Sequence, residues 1–123
     1  MTAVGRTTWV IADGWVPPTS TGEDPALISH EAACILNAGA EDTRVIFTIF
    51  FTEREPISSI EVVIPARRIL HQNLQSIPGV TIAKGTDYCV LIESDKPIVV
   101  QHTRLDSRQA ANAIMTTIAF PCD

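Results

Sequence analysis

The segment from Arg44 to Thr52 shows the clearest alternation of apolar and polar positions in the chain. A period of two predicts a β-strand, and its wholly apolar face consists of Val45, Phe47, Ile49 and Phe51. The opposite face is half polar, because Ile46 and Phe50 alternate with Arg44 and Thr48. We therefore expect both faces to be covered, the second one by another sheet or by another subunit.

Further short runs rich in β-branched residues, separated by Pro and Gly, predict more strands. They are Thr8 to Ala12, Leu27 to Leu36, Ser59 to Ile64, Arg67 to Leu74, Asp87 to Glu93 and Ile98 to Leu105. The last two are expected to form a hairpin about Ser94-Asp95-Lys96-Pro97. Asp106 to Phe120 suits either a helix or a strand, and we favour a loop or one turn followed by a strand. About seven or eight strands at this spacing predict an all-β fold, an antiparallel β-sandwich that is jelly-roll-like.

Length and composition indicate one globular domain, residues 1–123. The chain is 46% hydrophobic and 19% charged, which is typical of a folded protein and not of a disordered one. Its formal charge of -5 argues against broad binding to nucleic-acid phosphates. DNA binding stays open only if arginines from four subunits converge on one face.

The cysteines and the N-terminus indicate a cytoplasmic protein. Cys34, Cys89 and Cys122 are odd in number and lack CxxC spacing, so we interpret them as reduced, mostly buried thiols. The first residues lack the basic start and apolar core of a signal peptide, and no apolar run approaches the ~20 residues that cross a bilayer. We expect a soluble chain, which leaves docking on a membrane receptor open.

Catalytic and metal-binding motifs are not recognisable in the sequence. It contains no GxSxG elbow, and Ser29-His30-Glu31 would alternate between the two faces of a strand. The glycines form neither GxGxxG nor GxxxxGK. His30, His71 and His102 lack HxH or HxxxH spacing, so ordinary hydrogen-bonded histidines are favoured over a metal site. We expect a protein that binds partners and is not an enzyme, with no cofactor and no metal.

Three features are candidates for binding, each with a simpler alternative. The polar run Gln101 to Gln109 is either a solvated strand end or a recognition edge with planar arginine donors. Arg67-Arg68 suggests an interstrand or intersubunit salt bridge, or a binding role. Trp9 lies in an apolar strand and is expected in the core, whereas Trp15 lies in a loop and suits ligand stacking.

The sequence resembles the sensory rhodopsin transducer family, the small soluble transducer of cyanobacterial sensory rhodopsin and its bacterial relatives. The resemblance spans nearly the whole chain. The segments that carry it are Gly5-Arg6-Thr7, Ala12-Asp13-Gly14-Trp15, Pro17-Pro18, Ile28-Ser29-His30-Glu31, Cys34 to Gly39, Ile64 to Arg68 and Pro97 to Ala110.

The resemblance implies a β-sandwich that forms a cytoplasmic homotetramer and relays the signal of a membrane photoreceptor, a sensory rhodopsin, through protein contact. It also implies a likeness to carbohydrate-binding sandwiches, so a module for a sugar or another small polar ligand is the alternative. The predicted partner or ligand site consists of Trp15, His30, Glu31, Arg67, Arg68, Gln101, His102, Arg104, Asp106 and Arg108.

Overall fold

The computed structural model describes residues 3–21, 27–109, 111 and 113–123. Within these ranges the fold is built almost entirely from β-strands, and the 3₁₀ turn Leu74–Ser76 follows the sixth strand. The strands are β1 (Arg6–Gly14), β2 (His30–Asn37), β3 (Thr43–Phe51), β4 (Ile57–Ser58), β5 (Val62–Ile64), β6 (Arg68–Asn73), β7 (Tyr88–Asp106), β8 (Ala113–Ile118) and β9 (Phe120–Pro121). Their number exceeds the expected seven or eight because β4 and β9 have only two residues each.

Strand β7 is 19 residues long and belongs to two sheets. Its first half pairs with β1 and β3, and its second half pairs with β2 and β8. The first sheet continues to β4 and β5 beyond β3 and to β9 beyond β1, whereas the second continues to β6 beyond β2. All of these pairings are antiparallel, and the all-β sandwich expected from the sequence is confirmed.

The predicted hairpin about residues 94–97 is wrong, because the chain continues through this segment as part of β7, with a register shift in its pairing with β1. The ladder with β3 ends at Ser94, and the ladder with β2 begins only at Val99. Pro97 therefore lies between two ladders, where its missing N–H costs no interstrand hydrogen bond. The Asp95 carboxylate accepts a hydrogen bond from the backbone N–H of Arg44 at 2.8 Å. The turn-forming residues 94–97 lie where β7 leaves the first sheet and enters the second.

The core lies between the two sheets and confirms the alternation seen in β3. Val45, Phe47 and Ile49 are fully buried and pack with Ile35 and Val100 of the second sheet. Trp9 also lies in this core, as expected, and its indole N–H donates to the carbonyl oxygens of Arg6 and Ile98.

The second face of β3 is left uncovered by the elements that the structure describes. Ile46 and Phe50 are each 39% exposed on the outer surface of the first sheet. The register places Val63 and Phe120 on this same surface, and both of them are exposed. The expectation that a second sheet covers this face is therefore wrong, and cover by another subunit is taken up below.

The ambiguous C-terminal region forms a strand, since β8 covers Ala113–Ile118 and pairs with the end of β7. The preference for a strand over a helix is confirmed. Leu27 to Ser29, which were expected to begin β2, instead precede it. No helix in the described residues is long and apolar enough to span a membrane.

A buried carboxylate and the edge it supports

A glutamate points into the core near the start of β2. The inward positions of this strand are Glu31, Ala33, Ile35 and Asn37, all of them buried, as the period of two requires. Glu31 is 0% exposed. A buried ionised carboxylate is costly unless hydrogen bonds and opposite charge compensate it, so its partners determine what the region can do.

Four groups donate to this carboxylate, two to each oxygen. Oε1 accepts from the backbone N–H of Trp15 at 2.7 Å and from the Tyr88 hydroxyl at 2.6 Å. Oε2 accepts from Nε2 of the buried His102 and from Nε of Arg104 at 3.4 Å. These donors come from the segment after β1 and from both halves of β7. The carboxylate therefore joins elements of both sheets.

A second layer of contacts fixes these donors. Nε2 of Gln75, in the 3₁₀ turn, donates to the Tyr88 hydroxyl at 2.9 Å, and its Oε1 accepts from the backbone N–H of Glu31 at 2.7 Å. Gly14 lies opposite Tyr88 in the β1–β7 pair. A Cβ atom on Gly14 would lie 2.6 Å from the Tyr88 ring, so only glycine admits the ring at this position.

The environment of Tyr88 keeps its phenol protonated. Burial raises the pKa of Tyr88, and the negative charge of Glu31 raises it further. A neutral phenol donates a hydrogen bond to the carboxylate, whereas a phenolate would repel it. The Tyr88–Glu31 hydrogen bond is thus a permanent part of the fold at neutral pH.

Arg104 connects the buried carboxylate to the surface. It lies opposite Glu31 in the β2–β7 pair, and its side chain is 22% exposed. Its Nη2 donates to the carbonyl oxygen of Asp13 at 2.8 Å and lies 3.5 Å from the Asp13 carboxylate. One guanidinium therefore contacts both an interior and a surface carboxylate.

Trp15 and Arg108 extend this arrangement over the surface. The Arg108 guanidinium lies over the Trp15 ring, 5.3 Å from its centroid, which is a cation–π distance. It also binds Asp106 through two parallel hydrogen bonds, Nε to Oδ1 at 3.0 Å and Nη2 to Oδ2 at 2.6 Å. We call the set Asp13, Trp15, Arg104, Asp106 and Arg108 the Trp15 edge.

The Asp106–Arg108 pair is ionised on both sides. Hydrogen bonds from the Arg108 side chain hold the pKa of Asp106 below its usual value, and the same contact raises the pKa of Arg108. The backbone beside the pair is anchored, because the buried Ser107 donates its N–H to Ser29 Oγ at 2.8 Å and accepts from the Thr21 N–H at 2.7 Å. The edge is therefore charged and well positioned.

The remaining histidines are separate from this cluster. His30 contacts the carbonyl oxygen of Ile28 through Nδ1 at 2.6 Å, and His71 lies on the outer surface of the second sheet near Cys34 and Gln101. Within the described residues no three His, Cys, Asp or Glu side chains gather at metal-binding distance. Cys34 and Cys89 are half-buried, whereas Cys122 is exposed, which the expectation of mostly buried thiols did not anticipate.

Comparison with known proteins identifies the family. The family model described as Anabaena sensory rhodopsin transducer matches residues 4–121. The chain belongs to this transducer family. The resemblance inferred from its motifs is thereby confirmed, and no match was found among curated proteins.

Two solved structures of similar proteins have the same fold. The Anabaena sensory rhodopsin transducer is 47% identical, with a TM-score of 0.75 over 89% of this chain and 96% of that one. The crystal structure of Thermotoga maritima 1070 is 33% identical, with a TM-score of 0.83 over 96% of each chain. The sandwich is thus shared by at least two further proteins that resemble this transducer-family chain.

In this member of the transducer family, the structure brings together six of the ten predicted site residues. Those six are Trp15, Glu31, His102, Arg104, Asp106 and Arg108. Arg67 and Arg68 lie at the other end of β2, since Arg68 pairs with Asn37, about 20 Å along the strand from Glu31. Gln101 faces outward on the second sheet, and His30 makes only the contact described above. The ten residues thus do not form one site.

Several members of the cluster were not predicted from sequence. Tyr88 and Gln75 complete the hydrogen bonding of Glu31, and Ser29 and Ser107 anchor the end of β7. Asp13 pairs with Arg104 from the end of β1. Tyr88, as the only tyrosine, was the one signal available, because a lone phenol in an apolar strand needs a buried partner.

Proposed function

We propose that this chain relays the signal of a sensory rhodopsin by direct contact, as a cytoplasmic homotetramer of a single-domain protein that catalyses no reaction. The observation that carries the proposal is the 47% identity to the Anabaena sensory rhodopsin transducer over 89% of the chain. Identity at this level favours a shared mode of action as well as a shared fold.

The Trp15 edge is the surface that best suits contact with a receptor. It combines an aromatic ring with arginine side chains, the residue types enriched at binding hot spots. Arg104 and the backbone of Trp15 are fixed from below by the buried Glu31, so the edge is organised before any partner arrives. Both Glu31 oxygens already accept two hydrogen bonds, which favours a supporting role for this carboxylate over a catalytic one.

The docking proposal is tested with purified sensory rhodopsin, taken from the source genome if it encodes one. We expect the two proteins to co-elute in detergent and the transducer to change the rate of the rhodopsin photocycle. Arg108→Ala removes the guanidinium from Trp15 and Asp106 and should weaken binding by roughly tenfold or more, as expected for a hot-spot arginine.

Arg68→Ala is the matched control, because Arg68 is an exposed arginine in β6, opposite the end of β2 that is distant from Glu31. It should leave co-elution and the photocycle unchanged. If Arg68→Ala weakens binding and Arg108→Ala does not, docking takes place at the other end of the sandwich. If the wild-type chain neither binds nor affects any co-encoded rhodopsin, the transducer proposal fails.

Assembly into a tetramer is supported by apolar outer surfaces on both sheets. The first sheet exposes Ile46 and Phe50, and the second exposes Leu36, Ile69 and Ile118. Contiguous apolar surface of this kind is uncommon on a monomer and is typical of subunit contacts. Light scattering of the purified chain should give four times its mass, and a monomeric mass would contradict this part of the proposal.

Single charged substitutions can show which of the two outer surfaces forms the subunit contact. Ile46→Lys and Ile69→Lys each place a cation on the outer surface of one sheet without changing the core. The variant that lowers the assembled mass identifies the surface that forms the contact. A tetramer unaffected by either substitution would exclude both surfaces.

A sugar or another small polar ligand stacked on Trp15 is the second candidate. Trp15 is half-buried, and Arg108 already lies over one face of its ring, so stacking on that face requires Arg108 to move. A ligand that binds only the folded state would raise the melting temperature. Glycan arrays with thermal-shift screening of wild type and Arg108→Ala test this, and a positive result only in the variant would indicate that Arg108 occupies the place of the ligand.

A further inference from the structure

A cavity of about 390 Å³ lies at the end of the sandwich opposite the Trp15 edge. Its walls come from the segment before β1, the turn between β2 and β3, the residue before β6, and the crossing point of β7. The apolar lining consists of small side chains, namely Ala3, Val4, Ala38, Ala40 and Pro97. Its size is within the usual range for small-molecule sites.

Two cations and one carboxylate line this cavity, Arg67, Lys96 and Glu41. Lys96 and Glu41 are 3.9 Å apart and their side chains are 43% and 77% exposed, so their pairing is weak. The Arg67 side chain has no hydrogen-bond acceptor within the part of the chain that the structure describes. The charged side chains that line the cavity therefore sum to one net positive charge, in a chain whose net charge is -5.

Arg67 has a strained backbone. Its φ of 57° lies in the left-handed region, which residues other than glycine adopt at a cost. Its N–H donates to the carbonyl oxygen of Gly39 at 3.1 Å, and the preceding Ala66 N–H donates to Asp42 at 2.9 Å. These two hydrogen bonds hold the turn in the conformation in which Arg67 lines the cavity.

Buried polar side chains fix the frame around both cations. Asn37, fully buried, donates to the carbonyl oxygens of Glu41 at 2.9 Å and Ile64 at 3.0 Å, which ties the two turns together. Thr43, also fully buried, accepts from the backbone N–H of Lys96 at 3.2 Å. Neither contact involves the charged groups themselves, so those groups remain available to a ligand.

We infer that this cavity binds a small carboxylate with a short apolar body. The planar guanidinium of Arg67 matches a carboxylate through two parallel hydrogen bonds, and Lys96 supplies the second charge. The small apolar side chains receive the rest of the ligand. The site lies about 20 Å along β2 from Glu31 and does not depend on the proposed contact with a rhodopsin.

Butyrate is a suitable probe, with its neutral isostere butyramide and inorganic phosphate as comparisons. At constant pH and ionic strength, we expect ~10 mM butyrate to shift the backbone amide resonances of Gly39, Ala40 and Arg67 in a saturable way, as a ligand of millimolar affinity would. Butyramide and phosphate should each cause much smaller shifts. No shift with butyrate, or equal shifts with either comparison compound, would overturn the assignment.

Arg67→Asn removes the guanidinium and should preserve the backbone conformation, because asparagine tolerates a positive φ better than most residues. It should weaken butyrate binding by roughly tenfold, the usual scale for losing a charged hydrogen-bonding partner. Arg44→Gln removes the same charge from the outer face of β3 and should leave affinity unchanged. Butyrate binding that survives Arg67→Asn, or that Arg44→Gln weakens equally, would contradict the role of Arg67.

Discussion

Glu31 and Arg104 lie directly opposite each other on β2 and β7, with the carboxylate fully buried and the guanidinium reaching the surface. The same carboxylate also accepts from Trp15 and Tyr88. One interior charge therefore holds a surface arginine, a loop backbone and a core phenol in fixed relative positions. Its removal should affect stability and the Trp15 edge together.

Glu31→Gln should lower the free energy of unfolding by about 3 kcal/mol, because removing one member of a buried ion pair leaves the other charge uncompensated. The amide keeps the shape of the side chain but has one acceptor oxygen in place of two, so the loss reports the charge together with the hydrogen bonds that the NH2 group cannot accept. Urea unfolding measures it. Glu41→Gln, which removes an exposed carboxylate, should change stability by less than about 0.5 kcal/mol. Equal effects from the two variants would contradict the central role of Glu31.

Tyr88 should resist ionisation for as long as the fold persists. A raised pKa in the folded state stabilises the fold fully below the ordinary phenol value of about 10, and this contribution is lost as the pH rises above it. Because Tyr88 is the only tyrosine, phenolate absorbance reports on it alone. We expect that absorbance to rise together with the loss of β-sheet circular dichroism.

The control is Tyr88→Phe, which should lack this additional loss of stability above pH ~10. A phenolate signal that titrates near the ordinary value while the circular dichroism stays native would show that Tyr88 is accessible. The burial and the Glu31 contact described above would then be wrong.

Gly14→Ala should destabilise the fold by about 1–3 kcal/mol, the usual cost of forcing an extra methyl group into a packed site. The new Cβ would lie 2.6 Å from both the Tyr88 ring and the Tyr88 carbonyl oxygen, and the backbone atom cannot rotate away. Gly39→Ala is the matched control, because its Cβ would meet only Asn37 Oδ1 at 3.3 Å. Thermal unfolding of both variants should place Gly14→Ala well below Gly39→Ala, and the reverse order would refute the close packing.

Asp106 should titrate below its ordinary pKa of about 3.9, as followed by carboxyl carbon resonances in NMR. A lowered pKa means that the pair with Arg108 stabilises the fold at pH values above the pKa of Asp106 in the unfolded chain. This contribution is lost as the pH falls through the pKa of Asp106 in the folded chain. Arg108→Gln should raise the Asp106 pKa towards its ordinary value. A titration that is the same in both proteins would show that the two side chains do not pair in solution.

The local alternation of apolar and polar residues was sufficient to predict those parts of the fold that depend on a single strand. The alternation of Val45, Phe47 and Ile49 was sufficient to predict β3 and its buried face. The hairpin prediction failed because Asp95 and Pro97 favour turns in isolation, whereas here a hydrogen bond from the Arg44 backbone N–H and the gap between two ladders accommodate them within one continuous strand. The strands that pair on either side of a residue come from distant parts of the sequence, so the local pattern cannot predict them.

The candidate site likewise contains residues that the local sequence indicates and residues that only the packing of the two sheets brings together. The polar run at the end of β7 pointed to Arg104, Asp106 and Arg108, which the structure places together, since a run of charged residues that follows an apolar stretch is visible locally. The buried partner of Tyr88 was not foreseeable, because Glu31 and Tyr88 are 57 residues apart and meet only through the packing of the two sheets. The grouping of Arg67 and Arg68 with that edge was wrong for the same reason, as their shared chemistry says nothing about which end of β2 they occupy.

The shared strand β7 also limits how this sequence can change in length. A one-residue insertion between residues 100 and 102, where β7 is paired with both β2 and β8, would turn every later side chain of β7 to the opposite face, which would move His102 and Arg104 away from Glu31. A deletion there would do the same, whereas the segment from Ser94 to Pro97 already contains a register shift against β1. The loops tolerate insertions, whereas the count of residues from Tyr88 to Asp106 is set by the need to satisfy two sheets at once.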